Sequence, residues 1–330
     1  MGCGVSLVTV STYIGEVATH KGHGALGGIF QIMLVTGVFL SHGFSIPLNY
    51  APGWRVLFAI TGIPSLIQLG LFPFCVETPA YLISQGKLDQ AKENLIKLRS
   101  GYDTTQEFQD LVDRQNKLNG GQKVNPYKVI LNNKKLLKHM LICIMVHIAQ
   151  QWCGINGILF YSATIFSLAF GKENAAYLAL GTDAVFILFT LVFILIADRL
   201  SRKWLMIITL ISTAICSILV TVGLKLAIDV MVAVFIFIFI AIFALGIGPI
   251  PWMIVSELFP SDQLPAASGV AMATNWLFNF IFTLVFPSIL KQVEAFTFLI
   301  FAVIAIVFAA GVLFFVPETK GKTIDQLLEG

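Results

Sequence analysis

The stretch "GIGPIPWMIVSELFP", residues 246–260, directly follows an apolar run and carries two glycines and two prolines within its first six residues. Glycine favours backbone conformations outside the helix, and proline removes a backbone donor and clashes with the preceding turn. The stretch therefore predicts an apolar helix that is interrupted within its own length. Such a break is tolerated in a membrane span where neighbouring helices or a cavity satisfy the freed carbonyl groups.

The composition of the whole chain indicates that its surroundings are apolar. The chain is 57% hydrophobic and 12% charged, and its mean hydropathy is +0.86. A span needs about 20 apolar residues to cross the hydrocarbon core. We predict an all-α, polytopic membrane protein with nine segments, the first of them incomplete, at residues 1–15, 22–54, 56–75, 139–171, 174–197, 204–224, 230–256, 263–290 and 295–317.

The basic residues predict the orientation in the membrane. The segment 76–138 holds 11 of the 21 Lys and Arg residues, and positive charge collects in cytoplasmic loops. Apolar residues at helical spacing within it predict one or two short amphipathic helices. Counting crossings places the C-terminus on the same, cytoplasmic side. The net charge of +3 then reflects sidedness, and we predict no nucleic-acid partner.

The cysteines give no sign of a metal site or a disulfide framework. Their number is odd and their spacing follows no ligand pattern. We predict neither a metal nor a cofactor. The five are Cys3, Cys75, Cys143, Cys153 and Cys216.

Two pairs of glutamates reveal an internal repeat. Glu16 and Glu257 each end an apolar segment, as do Glu77 and Glu318, and the members of each pair are 241 residues apart. The first three segments therefore repeat as the last three, which predicts three further spans upstream and two six-span halves. The predicted organisation is an incomplete N-terminal bundle at 1–75, a cytoplasmic helical loop at 76–138, a six-span bundle at 139–317 and a cytoplasmic tail at 318–330.

Five motifs in order resemble the sugar porter family of the major facilitator superfamily, the group that contains facilitative glucose transporters. The resemblance covers nearly the whole chain, without the family's first three spans. It implies a multi-pass carrier of the plasma membrane, not an enzyme. The motifs are "QQWCGINGILFYSATIF" (150–166), "DRLSRK" (198–203), "GIGPIPWMIVSELFP" (246–260), "NWLFNF" (275–280) and "PETKGKT" (317–323).

Amide side chains within the spans are the candidate sugar ligands. A neutral polyol presents hydroxyls that donate and accept, and amides do the same without burying a charge. The resemblance supports Gln150, Gln151 and Asn156 and implies an unwound helix around Gly154, whereas the alternative is that the amides only bond helix to helix. The candidates are Gln31, Gln150, Gln151, Asn156 and Asn275, with Asn279 one turn from Asn275 and Trp252 to cover an apolar sugar face.

The same resemblance implies moving parts. It assigns a hinge to Gly248, Pro249 and Pro251, and closure of the extracellular side to Tyr161. It also implies a charge lock at the cytoplasmic ends of the spans. The lock residues are Glu16, Glu77, Asp198, Arg199, Arg202, Glu257 and Glu318.

Several positions depart from the family pattern. Customary arginines of the lock are replaced at His23, Ala80 and Leu264, and Ser201 stands where a glycine is usual. Ala244 occupies a position where facilitative glucose transporters often have glutamate. Asp183 is the one acid well inside a predicted span, and it either takes part in proton coupling or is paired structurally.

We therefore expect alternating-access transport of a hexose or related polyol down its concentration gradient. The alternatives are an inositol, trehalose or proton-coupled transporter, and a non-transporting sensor or degenerate paralogue. The partners expected are a small neutral sugar and the lipid bilayer; the oligomeric state is not predicted. Residues 1–330 alone are expected to be poorly stable and inactive, whereas a chain extended upstream by about 100 residues or more should be stable and transport.

Overall fold

The computed structural model is helical throughout the part of the chain that it describes. Within this part, helices occupy all the predicted membrane windows except the first, most of which lies outside the described residues. Six apolar helical runs there are long enough to cross a membrane, and a shorter one covers Gln31–Ser45. The residues described are 9–10, 13, 16–17, 23–100, 102–120, 125–260, 262–322 and 324–329.

Contacts divide the chain into two compact units. One comprises Met1–Met33 and Pro47–Val124, and the other comprises Leu34–Ile46 and Asn125–Gly330. The helix α1, His23–Ser45, therefore contributes its second half to the larger unit. The domain boundaries expected from the repeat stay a prediction.

The smaller unit contains one apolar helix and most of the basic loop. Helix α2, Gly53–Leu71, is apolar but buries almost none of its side chains in the protein, as a helix facing lipid would. The loop then forms α3 (Pro79–Ser84), α4 (Leu88–Arg99) and α5 (Thr105–Gly120).

The loop is more segmented than the sequence predicted, because local signals end each helix early. Gly86 and Ser100 have φ values of 76° and 47°, which lie outside the right-handed helical region. Arg99 joins α4 to α5 through a bidentate pair with Glu107, at 2.9 Å from its Nε and 2.5 Å from its Nη2. Apolar side chains around Leu82 form a small cluster between these loop helices.

From Asn125 onward, the larger unit consists of a short helix followed by a bundle that contains the long apolar helices. Each long helix packs against two or more others, and their inward side chains form one continuous apolar core. The helices are α6 (Pro126–Asn132), α7 (Lys134–Trp152), α8 (Ile155–Phe170), α9 (Lys172–Ile196), α10 (Arg202–Lys225), α11 (Asp229–Leu245), α12 (Ile250–Leu258), α13 (Leu264–Val293), α14 (Thr297–Phe315) and α15 (Ile324–Glu329).

Two of the spans are interrupted, as the sequence predicted. Between α7 and α8 the chain turns at Gly154, whose φ of 107° suits glycine alone. Between α11 and α12 the helix is broken over residues 246–249. Pro249 is the N-cap of α12, and the Gly248 N–H bonds to the Phe243 carbonyl at 3.0 Å. Both breaks face the centre of the larger unit, where the candidate site lies.

Candidate functional site

At the break between α11 and α12, a side chain from another helix donates a hydrogen bond to a backbone carbonyl. Proline at 249 and 251 removes two of the N–H groups that would close the next helical turn. The Trp252 N–H, which would bond to the Gly248 carbonyl in a regular helix, instead bonds to the Pro249 carbonyl at 3.2 Å, and the Gly248 carbonyl accepts a hydrogen bond from the Gln150 Nε2 on α7. The broken helix is thus tied directly to the amide motif of a neighbouring helix.

From Gln150 the hydrogen bonds continue through amides on two helices. The Asn275 Nδ2 on α13 donates to the Gln150 Oε1 at 2.6 Å. The Gln151 Nε2 donates to the Asn275 Oδ1, also at 2.6 Å. Asn275 is 1% exposed, so its amide is engaged at both ends inside the protein. It is the central member of what we call the amide cluster: Gln150, Gln151, Asn156, Asn275 and Asn279.

The remaining members of the amide cluster converge on one oxygen. The Gln151 Oε1 accepts a hydrogen bond from the Asn156 Nδ2 and another, at 3.0 Å, from the Asn279 Nδ2. Gln151 and Asn156 would lie on different faces of a regular helix. The turn at Gly154 brings them together, which is the physical consequence of the unwound segment.

His147 is a member of the site that the sequence reasoning missed. Its Nδ1 lies 3.1 Å from the Asn275 Nδ2, and its ring meets the Trp252 ring edge-on with centroids 4.9 Å apart. His147 is fully buried. It precedes Gln150 by three residues and Gln151 by four, and that helical spacing was the signal that could have found it.

The hydrogen bonding of the amide cluster explains how so much polarity is buried. Gln150, Gln151 and Asn156 are each less than a tenth exposed. A buried polar group left without a partner costs about 1–3 kcal/mol. Mutual bonding removes that cost, and each amide keeps the capacity to exchange its partner for a hydroxyl. The cluster is a neutral, polar centre within an apolar bundle.

An aromatic stack lies beside the amide cluster. The Tyr161 ring is 4.8 Å from that of Phe286, which stacks on Phe282 at 5.3 Å and on Phe301 at 5.9 Å. A Cβ on Gly154 would lie 2.6 Å from the Phe301 Cδ2. The glycine that turns the chain therefore also makes room for this ring.

The other predicted sugar-binding and gating residues lie on α1, on α12 and at the break between α11 and α12. Gln31 is half-buried on α1 and belongs to the smaller unit, so its part in the site stays a prediction. Trp252 is half-buried on α12, next to His147. Gly248, Pro249 and Pro251 are buried at the helix break, as expected for a hinge, although motion there stays a prediction.

A second polar cluster joins the ends of α10, α12 and α14 in the larger unit. Glu318 accepts hydrogen bonds from the Ser201 Oγ and, at 3.1 Å, from the Arg202 backbone N–H. Glu257 accepts from the Arg202 Nε at 3.0 Å and from the Thr319 hydroxyl. Ser201, the departure from the family's glycine, therefore adds a donor to this cluster.

The remaining charge-lock residues are more dispersed. Glu16 and Glu77 are exposed in the smaller unit, and the Glu77 carbonyl accepts from Asn94 at 3.1 Å. Arg199 is exposed, and its carbonyl accepts from the Lys320 Nζ at 2.5 Å. The side chain of Asp198 lies outside the described residues. The lock as a whole stays a prediction.

The hydrogen bonds to Glu318 determine its charge state. Burial alone would raise the pKa of Glu318, but bonds from the Ser201 hydroxyl and from backbone N–H groups hold that pKa below its usual value. Hydrogen bonds to the ionised form favour it over the neutral acid. Glu318 is therefore ionised at neutral pH and holds the start of α10.

Replacing Glu318 by glutamine should lower the free energy of unfolding at neutral pH by about 1 kcal/mol, because the charged acceptor is lost at a partly exposed site. A lowered folded-state pKa stabilises the fold above the ordinary value of 4.5, and this contribution is lost as pH falls through the folded-state pKa. The difference in Tm from the wild type should therefore shrink below pH 4.5. A difference that is constant with pH, or equal to that of the surface variant Glu93→Gln, would contradict this role.

Asp183 has a specific partner, which supports the paired interpretation. The Asp183 Oδ2 lies 2.5 Å from the His42 Nδ1 on α1. Asp183 is fully buried on α9, while a third of the His42 side chain is exposed. Pairing accounts for a carboxyl group in an otherwise apolar helix.

Comparison with known proteins places this architecture among transporters. The family model described as "Sugar (and other) transporter" matches residues 1–329. Facilitated glucose transporter member 2 of Mus musculus is 34% identical over 98% of this chain and 63% of its own length. Member 3 of the same species is 35% identical over 98% of this chain and 67% of its own. The chain thus spans about two thirds of the length of these curated relatives.

Solved structures show the same fold. The xylose transporter XylE from E. coli, in a partially occluded inward-open conformation, matches with a TM-score of 0.78 and 27% identity, over 95% of this chain and 68% of its own. The proton:xylose symporter XylE bound to 6-bromo-6-deoxy-D-glucose matches with a TM-score of 0.78 and 28% identity, over 96% and 69%. The arrangement of helices is therefore the major facilitator fold.

Proposed function

The chain belongs to the sugar transporter family of the major facilitator superfamily, and on this premise we propose that it carries a hexose or related polyol across a membrane. Transport would proceed by alternating access and down the gradient of the sugar. The observation that carries the proposal is the amide cluster, in which Gln150, Gln151 and Asn275 bond to one another within an apolar bundle.

The chemistry of the amide cluster suits a neutral sugar. A hydroxyl both donates and accepts, so it can replace one amide–amide bond by two amide–hydroxyl bonds without leaving a group unpaired. A carboxylate or phosphate substrate would instead require a cation, and the groups bonded to the cluster are amides, two backbone carbonyls and an imidazole. The aromatic face of Trp252 supplies an apolar surface for the ring C–H groups.

The hinge can be assigned on the same geometry. The Gly248 carbonyl accepts from Gln150, so a sugar that takes over the Gln150 amide would alter a contact to the break itself. Such a contact gives the sugar different interactions in different states of the helix, which a ligand needs in order to shift a conformational equilibrium. We infer that Gly248, Pro249 and Pro251 form the moving element.

Replacing Pro249 and Pro251 together by alanine should slow sugar exchange more than tenfold while changing affinity less. Alanine restores two backbone donors and favours a straight helix, and a proline within a helix costs about 3 kcal/mol. The measurement compares exchange rates and sugar affinities of the extended chain in liposomes. Replacing Pro287, which lies inside α13, by alanine is the control for proline loss elsewhere. Unchanged exchange with reduced affinity would contradict the hinge.

A proton-coupled carrier is the second candidate, and one observation favours it. His42 and Asp183 form a pair of titratable groups inside the predicted spans, and Asp183 is fully buried. A symporter needs such a group to take up and release a proton. Inositol or trehalose as the substrate is compatible with the same amide chemistry, and a non-transporting sensor would share the binding site without the flux.

Uptake into liposomes separates these functions. The extended chain, with the upstream spans that the repeat predicts, should give saturable uptake of labelled hexose that unlabelled hexose inhibits. An imposed proton gradient should leave the uptake unchanged for a facilitative carrier and drive accumulation for a symporter. Binding without flux would identify a sensor. We propose the plasma membrane as the location, with residues 76–138 and the C-terminus on the cytoplasmic side.

A further inference from the structure

We propose that His42 and Asp183 form a two-proton binding site that holds α1 against α9 and releases it when the second proton binds. The Nδ1 of His42 and the Oδ2 of Asp183 are 2.5 Å apart. Both residues belong to the larger unit. Proton binding does not depend on the sugar; only its link to transport rests on the proposed function.

The hydrogen bonding of Asp183 leaves one position open. Its Oδ2 contacts His42, whereas its Oδ1 is buried and has no hydrogen-bond partner among the described residues. An ionised carboxylate in an apolar interior needs partners for both oxygens, or else it takes up a proton. A proton bound to the Oδ1 would therefore remove the free-energy cost of burying a carboxylate oxygen that has no hydrogen-bond partner.

The pair stands apart from other titratable groups. Helix α9 packs against α8 and α11, whose described titratable side chains are Tyr161 and, at the first residue of α11, Asp229. Along α9 itself Tyr177 is exposed, and the side chains of Lys172 and Glu173 lie outside the described set. Among the described residues, His42 is the polar side chain that contacts the Asp183 carboxylate.

The contact connects two helices directly. Besides the His42–Asp183 pair, a Cβ on Gly43 would lie 3.8 Å from the Leu180 Cδ1, so a second point of contact between α1 and α9 lies next to the pair. This second contact is apolar. The pair is therefore the charge-dependent part of the contact between the helices.

The two protons have different effects on this contact. With one proton between Nδ1 and Oδ2, an imidazolium faces a carboxylate, the net charge is zero and the helices are held together. A second proton on Oδ1 neutralises Asp183 and leaves the imidazolium without a counter-charge, so the attraction is lost. Loss of the first proton leaves a buried carboxylate without a cation. The contact is strongest with one proton bound and weakens on either side.

A route for the proton leads through His42. The imidazole lines a groove of about 430 Å³ together with Leu34, Gly37, Ser41 and Phe160. A third of the side chain is exposed, whereas Asp183 is fully buried. Imidazole can accept a proton at one nitrogen and deliver one from the other. A proton from the groove would therefore reach the carboxylate by way of the histidine ring.

Infrared difference spectroscopy tests proton binding directly. The full 330-residue chain in lipid is titrated in the absence of sugar, and the carboxylic-acid C=O band is recorded for the wild type and for Asp183→Asn. We expect a band that appears on acidification in the wild type and is lost in Asp183→Asn. His42→Gln, which keeps a donor to Oδ2 but no charge, should shift its midpoint. The surface variant Glu93→Gln should leave this band in place.

A distance measurement tests the release. Spin labels on Phe44→Cys and Tyr177→Cys, both exposed, in a Cys75→Ser background report the separation of α1 and α9. Their separation should increase on acidification in the wild type and be independent of pH in Asp183→Asn. The proposal is overturned if the wild type and Asp183→Asn have the same carboxyl band, or the same pH-dependent separation. A failure of hexose uptake would leave both readouts intact and would count against the proposed function alone.

Discussion

Replacing Asn275 by leucine should reduce hexose affinity by more than tenfold and also destabilise the larger unit. Asn275 donates to the Gln150 Oε1 and accepts from the Gln151 Nε2, both at 2.6 Å, so leucine leaves these two buried polar atoms without that partner. Each such group costs about 1–3 kcal/mol, and about 1.4 kcal/mol corresponds to tenfold in affinity. Equilibrium binding of labelled hexose and thermal unfolding of the same preparation measure the two effects.

Asn279→Leu is the matched control for that variant. Asn279 lies one turn further along α13, is half-buried and donates a single bond, at 3.0 Å, to an oxygen that also accepts from Asn156. Its replacement should cost clearly less in both measurements. Equal effects of the two variants would mean that the centre of the amide cluster has been wrongly assigned.

Gly154→Ala should strongly destabilise the fold, with a loss of about 3 kcal/mol or more in the free energy of unfolding. The added Cβ would lie 2.6 Å from the Phe301 Cδ2, and the backbone φ of 107° is unfavourable for any residue with a side chain. Overpacking and a positive φ each cost about 1–3 kcal/mol. Thermal unfolding in detergent, with hexose binding on any folded fraction, provides the measurement.

Gly171→Ala separates the two contributions to this loss. Gly171 also has a positive φ, of 77°, but a Cβ there meets nothing within 4 Å. It should therefore show the backbone cost alone. If the two alanine variants unfold alike, the close packing of Phe301 on the turn contributes nothing, and the turn is not held by the aromatic stack.

Much of the fold could be predicted because the membrane imposes simple rules. The apolar windows from residue 22 onward each contain a helix, since a span must satisfy its backbone internally. The two breaks were also predictable, because Gly154 and the Gly-Pro stretch at 246–251 are local signals. In the basic loop the apolar spacing alone predicted too few helices, because the helices end just before Gly86 and Ser100, whose positive φ values interrupt them.

The candidate site was predictable in its residue types but not in its bonds. Amides in apolar spans indicated neutral polar ligands, but only the packing of α7 against α13 shows that Asn275 bridges Gln150 and Gln151. His147 was missed because only amides were considered as ligands, although its helical spacing from Gln150 and Gln151 places it on the same face. The partner of Asp183 was beyond sequence reasoning, since His42 is 141 residues away.

Photolabelling with a diazirine-bearing hexose is the most direct test that the amide cluster is the sugar site. After irradiation of the chain in lipid, the labelled peptides are mapped with and without excess unlabelled hexose. We expect label that unlabelled hexose displaces, located around residues 147–156, 252 and 275–279, and sharply reduced in Asn275→Leu. Label that is not displaced, or that lies on α2 or in the loop helices α3 to α5, would contradict a sugar site at the amide cluster.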